Sequence, residues 1–227
     1  MNIPTLFTFL NLFSGFMAII SVSEMKPDSA FWFIVFSAIF DFIDGKMARL
    51  FKTPSKLGPQ VDSLADAVSF GVAPSFFIYN FAVFPPGKFS PFSLLPFVYL
   101  SAVIMRLARF NVIGEDSQRE FYYGLSSPIS ALFLVSFIST LNRFFPSFLF
   151  VKEATAGIVL ILSLLMLSKI EFPVFKQTKK AEKLQILFFI LGLLLLIYFR
   201  YLFLLAAILL YIIGGIIRYL LARESDE

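Results

Sequence analysis

Apolar runs of about 20 residues recur along most of this chain, and that recurrence limits its possible folds more than any other feature. They fall near 5–23, 30–50, 61–83, 92–112, 124–144, 153–170, 184–199 and 201–221. Each approaches the length a helix needs to cross a hydrocarbon core. A lipid-embedded segment must also satisfy its own backbone, as a helix does. The expectation is an all-α polytopic transmembrane helical bundle of about eight helices, a six-helix core plus a C-terminal pair. Lys26-Pro27-Asp28, Pro85-Pro86-Gly87, Gly114-Glu115-Asp116 and the basic stretch 176–183 separate the runs. The run 184–221 is interrupted only around Arg200, so a tight hairpin and one long tilted helix are both open. The first run, 6–22, has no basic segment before it and reads as a spanning helix, not a cleaved signal. No internal repeat is visible, which counts against an inverted-repeat transporter.

Cysteine and histidine are absent. Thiol nucleophiles, imidazole acid–base chemistry and Cys/His zinc sites are therefore excluded. Any metal must have oxygen ligands, which points to Mg²⁺, Mn²⁺ or Ca²⁺. The net charge of +4 is modest for a chain that is 59% hydrophobic, and it implies no nucleic-acid partner. It reports loop topology instead. With the N-terminus inside, fourteen Lys and Arg fall at inside ends and five at outside ends. The expected setting is a multi-pass protein of the cell (inner) membrane, with the acidic run, 106–123 and 169–183 facing the cytoplasm.

Four aspartates interrupt this apolar sequence in the order Asp41-x2-Asp44-Gly45-x2-Ala48-Arg49-x8-Gly58-x3-Asp62-x3-Asp66. An acid within a membrane segment is costly and calls for a function. At about 100° per residue, Asp41, Asp44, Gly45 and Ala48 share one stripe of a helix, with Arg49 at its margin. Asp62 and Asp66, four apart, stack on one face of the next. The short connection with Pro54, Gly58 and Pro59 makes the two helices antiparallel neighbours. Four carboxylates then face each other and repel unless cations sit between them. A pair of divalent metals holding a diphosphate resolves this, and Gly45 and Ala48 let a ligand approach the backbone. Two other readings compete: scattered loop acids, and the proton or ion path of a coupled transporter. Loop acids would not need helical spacing on both sides of a turn. Relay acids spread across the membrane depth, whereas these lie near one end.

The eight fixed residues of this pattern resemble the full signature of the CDP-alcohol phosphotransferase family, without a departure. Further segments resemble its phosphatidylserine synthase branch. They are Ile3-Pro4 with Thr8, Asn11-Leu12 and Gly15, then 57–66 continuing into Ser69-Phe70-Gly71-Val72-Ala73-Pro74. Arg106-Leu107-Ala108-Arg109-Phe110-Asn111, the Gly124-Leu125-Ser126-Ser127-Pro128 turn and Ser168-Lys169-Ile170-Glu171-Phe172-Pro173 belong with them. The turn departs from the usual Gly-Leu-Pro-x-Pro, and 184–221 adds a hydrophobic pair that shorter members lack. The resemblance covers about residues 3–176, so residues 1–176 read as the catalytic membrane domain. Residues 177–227 read as a C-terminal hydrophobic hairpin and polar tail.

The resemblance implies transfer of a phosphatidyl group from CDP-diacylglycerol to L-serine, with release of CMP, in a homodimer using two divalent cations, Mg²⁺ or Mn²⁺. It implies that Asp41, Asp44 and Asp62 bind metal and help hold the CDP diphosphate. Asp66 completes the metal site and takes the serine hydroxyl proton. Glycerol 3-phosphate or inositol phosphate as acceptor, and an archaeal ether lipid as donor, stay open. Arg49 faces the CDP phosphates or pairs with a metal-site acid. Thr8 and Asn11 hydrogen-bond the diphosphate or bond between helices. For the acceptor, Arg106 and Arg109, three apart on neighbouring faces, offer guanidinium forks suited to a carboxylate or phosphate. For them, as for Lys169, snorkelling to the membrane surface is an equal alternative.

Overall fold

Among the described residues, helices form where the apolar runs predict them. The structure, a computed structural model, describes residues 3–51, 57–83, 91–113, 121–145, 150–173, 192 and 195–224. The breaks at 85–87 and 114–116, the basic stretch 176–183 and most of 184–194 lie outside those residues. Helix α1 (Ile3–Ser23) turns into α2 (Pro27–Phe51) through Met25, whose φ of 57° is the left-handed conformation that ends many helices. The Met25 and Lys26 N–H groups close the turn on the carbonyls of Val22 and Ser21. Pro27 then opens α2, where a missing N–H costs nothing.

The next span is one rod of several pitches. Helix α3 (Gly58–Asp66) passes through a π-helical stretch, Ala67–Val72, into α4 (Ala73–Ile78) and a second π-helical stretch, Tyr79–Val83. Pro74 accounts for the first widening. Its ring has no N–H and would clash with the carbonyl four residues back, and a π turn absorbs both defects. Ala73 accordingly bonds to the carbonyl of Val68, five residues back. Helices α5 (Leu95–Ile113), α6 (Ser127–Phe144) and α7 (Val151–Leu167) follow. A two-stranded pair links the ends of these helices, β1 (Phe121–Tyr123) antiparallel to β2 (Glu171–Pro173). Residues 195–199 are helical, and α8 (Tyr201–Glu224) closes the chain. Between them Arg200 takes a φ of 44°, so the C-terminal run breaks there and does not continue as one tilted helix. Helix α8 packs along α6, from Tyr201 against Phe31 at one end to Tyr211 against Phe172 towards the other.

Among the described residues, four segments are long and apolar enough to cross a membrane: Pro4–Ser23, Gly58–Ala82, Pro91–Val112 and Tyr201–Leu221. The all-α polytopic bundle therefore stands, with the short β pair as an addition. Its core gathers Phe31, Phe70, Phe77, Tyr99, Leu134 and Leu162, while residues such as Phe13, Phe97, Leu164 and Leu210 point outward. Close approach fixes α1 against the π turn. A Cβ added to Gly15 would stand 2.2 Å from Ser69 Oγ and 2.6 Å from its Cα, so only glycine fits. One carbonyl ties three elements there. Asn11 O accepts from Ser37 Oγ of α2 at 3.2 Å and from Ser69 Oγ of the π turn at 3.0 Å.

Candidate active site: an acidic cluster at one end of the bundle

Helices α2 and α3 both pack against α1, and their acids converge. Carboxylate oxygens of Asp41, Asp62 and Asp66 all lie within 4.8 Å of one another. Asp44, one turn beyond Asp41, is buried and stands outside this tightest group. Its charge is close to those of Asp41 and Asp62, and the Thr8 hydroxyl and Gly45 N–H stand against it. Asp44 Oδ2 is buried with no hydrogen-bond partner among the described residues. A Cβ added to Gly45 would meet nothing within 4 Å, so the backbone beside Asp44 borders open space. Clustered carboxylates, an unpartnered buried oxygen and an open approach suit a hard cation that takes oxygen ligands.

Helix α1 supports the acids. Asn11 is fully buried, and its Nδ2 donates to Asp66 Oδ1 at 3.0 Å. Of the two uses open to Asn11, the structure shows the bond between helices. Ala48 is exposed on the same stripe, and the side chain of Arg49 lies outside the described residues.

The basic residues of α5 part company. Arg106 Nη1 donates to Ser127 Oγ, at the first turn of α6, over 2.7 Å. Its charge reaches Asp41 and Asp66. Tyr99, about two turns before Arg106 on the same face of α5, donates to Ser130 at 3.3 Å and continues the seam between α5 and α6. Arg109 points elsewhere. Its two Nη nitrogens donate to the carbonyls of Leu167, Ser168, Tyr123 and Met166 at 2.9, 3.3, 2.9 and 3.0 Å. It caps the orphaned carbonyls at the end of α7 and fastens β1 to them. Arg109 is therefore engaged in holding the fold, and Lys169 is exposed just past α7.

The sequence reading offered Asn11 a bond between helices without naming its partner Asp66, and it gave Ser127 no role. Asn11 is 55 residues from Asp66, and no local pattern links them. The departure from the usual turn falls at Ser126, so no pattern in the sequence pointed to Ser127, whose hydroxyl takes the Arg106 bond.

The sequence profile of CDP-alcohol phosphatidyltransferases matches residues 1–167. The chain belongs to the CDP-alcohol phosphatidyltransferase family. Among similar members of this family, a Helicobacter pylori (strain J99) protein is 37% identical over 218 residues, 96% of this chain and 90% of the relative. A Bacillus subtilis protein is 36% identical over 190 residues, 81% of this chain and 96% of the relative. A Methanocaldococcus jannaschii protein is 33% identical over 213 residues, 94% of this chain and 92% of the relative. All three carry the name CDP-diacylglycerol–serine O-phosphatidyltransferase. As in the H. pylori and M. jannaschii comparisons, similarity extends past the matched family region into the C-terminal hydrophobic run.

Proposed function

We propose that this chain is a phosphatidylserine synthase that moves the phosphatidyl group of CDP-diacylglycerol to the hydroxyl of L-serine. The observation that carries this reading is the convergence of Asp41, Asp62 and Asp66 within 4.8 Å, with the charge of Arg106 in reach. The shared name of relatives matching most of the chain supports serine as the acceptor.

Asp41, Asp44, Asp62 and Asp66 would hold two divalent cations, Mg²⁺ or Mn²⁺. Such ions, when bound, neutralise the diphosphate and polarise the phosphoryl oxygens. Gly45, Ala48, Thr8 and Arg49 receive the CDP end, where the backbone at Gly45 borders open space. Asp66, oriented by Asn11, accepts the proton as the serine Oγ attacks the phosphorus that bears diacylglycerol. The bond to the CMP oxygen breaks in line, and CMP leaves. With the reactants held in place, little covalent chemistry is left to the protein. Arg106, bonded to Ser127, binds the serine carboxylate or the transferred phosphate through its guanidinium. Positive-inside bias supports a site open to the cytoplasm, with the lipid entering from the inner leaflet. Residues 1–176 form the catalytic domain and the family resemblance supports a homodimer.

The test is an acceptor panel. Purified protein receives CDP-diacylglycerol, Mg²⁺ or Mn²⁺, and serine, glycerol 3-phosphate or inositol phosphate, and CMP is measured. Release with serine alone is expected, and release only with another alcohol rejects serine. Arg106→Lys is expected to raise the serine KM about tenfold, because a point charge cannot replace the fork. An unchanged KM rejects the acceptor role of Arg106.

A further inference from the structure

All of α8 lies beyond the residues that match the family profile, yet it is built into the end of the bundle where the acids lie. Its anchor is Phe172 of β2, which is 1% exposed. The ring stacks on Tyr211 with centroids 5.8 Å apart and planes 28° apart. Its Cδ1–Cε1 edge also lies against Gly215. A Cβ added there would stand 2.6 Å from Phe172 Cδ1 and 2.7 Å from Cε1. At the adjacent Gly214 an added Cβ would meet nothing within 4 Å. Only one of this glycine pair is a seat.

From Phe172 the constraint runs inward through hydrogen bonds. Phe172 pairs with Tyr122 across the two strands. The Gly124 N–H donates to Ile170 O at 2.8 Å, and the Leu125 N–H to Leu165 O at 3.1 Å. Gly124 has a φ of 76°, and a Cβ there would stand 2.4 Å from Met166 O. Arg109 then ties Tyr123 and the end of α7 to α5. Three residues before Arg109 on α5 is Arg106, and three residues after Gly124 is its partner Ser127. The β pair is thus a strap, pinned to α8 at one end and to the Arg106–Ser127 bond at the other.

We propose that Gly215 is a positioning residue: by seating Phe172 it holds the strap that orients Arg106 and Ser127 at the acceptor end of the active site. This rests on the reading of Arg106 as the acceptor-binding residue. A methyl at Gly215 meets a fully buried ring, so either α8 or β2 must move. Displacements of about 1 Å are enough to degrade a reacting geometry. The donor end, built on α1, α2 and α3, has no bond to the strap among those described.

The experiment compares G215A with G214A in the full chain, purified in nanodiscs, with serine and CDP-diacylglycerol varied separately and CMP release measured. Both changes remove a helical glycine and gain similar helix propensity. G214A is expected to match wild type. G215A is expected to raise the serine KM about fivefold while kcat and the donor KM stay within about twofold. Adding Phe172→Leu to G215A makes room for the methyl and is expected to restore much of the loss. If G215A does not yield folded protein, Phe172→Leu alone carries the test, because an emptied seat slackens the strap and also raises the serine KM. Equal kinetics for G215A and G214A overturn the proposal, as do parallel losses in kcat and both KM values or a wild-type KM in Phe172→Leu. Arg106→Lys run alongside separates the two ideas. An unchanged serine KM there rejects the acceptor site itself, whereas a raised one beside an inert G215A rejects only the strap.

Discussion

Replacing Asn11 with alanine tests whether α1 serves the acidic cluster. Asn11 is fully buried, and its amide donates to Asp66 Oδ1 at 3.0 Å. The acceptor is a carboxylate, and hydrogen bonds to charged groups contribute about 1.5–3 kcal/mol. Alanine removes the donor and leaves Asp66 without the group that fixes its orientation among the neighbouring acids. If that loss is felt mainly in the transition state, kcat/KM falls by roughly 10- to 150-fold, since each 1.4 kcal/mol is a factor of about ten. Asn11→Asp is expected to be worse, because it sets a further carboxylate beside Asp66. The assay is CMP release at saturating metal, with folding checked by thermal unfolding in detergent. A folded N11A protein that keeps kcat/KM within about threefold of wild type would refute the reasoning, because the bond would then contribute less than its charged acceptor requires.

Other expectations follow from neighbouring features. Chelation with EDTA is expected to abolish CMP release and added Mg²⁺ or Mn²⁺ to restore it; activity that survives exhaustive chelation removes the cations from the reaction. Asp44→Asn is expected to raise the metal concentration for half-maximal activity at least about tenfold, read from a metal titration. Gly15→Ala forces a methyl onto Ser69 and is expected to cost about 1–3 kcal/mol of stability, with an unchanged melting curve as the contrary result. Tyr201→Phe removes the hydroxyl that donates to Asp28 at the end remote from the acids. It is expected to leave turnover unchanged and lower stability only slightly, since Asp28 is about half exposed.

The helices and the acidic pairing were legible because both depend on periodicity and local spacing. Apolar runs of spanning length place α1, α2 and α5, and the i, i+3 and i, i+4 spacings of the aspartates fix which faces meet. What stayed hidden depends on how each helix is rotated in the bundle. Arg106 and Arg109 lie three apart, and sequence alone treats them alike. The rotation of α5 sends one towards the acids and the other to the end of α7. The β pair escaped notice because three-residue strands carry no usable alternation, and their partners are some 50 residues apart. The arrangement of 184–221 was undecidable from hydropathy, because a left-handed turn at Arg200 interrupts neither polarity nor length in a way the pattern could reveal.

The shared carbonyl of Asn11 gives the first helix a task that its own composition does not suggest. Bonded to Ser37 on one side and Ser69 on the other, it acts as the ruler against which the two acid-bearing helices are levelled. Sliding that ruler by a single residue shifts it about 1.5 Å along its axis. A bilayer thinner or thicker than the span leans such helices over, so turnover by this protein should depend on the acyl-chain length of the membrane around it, even when the chemistry of every substrate stays the same.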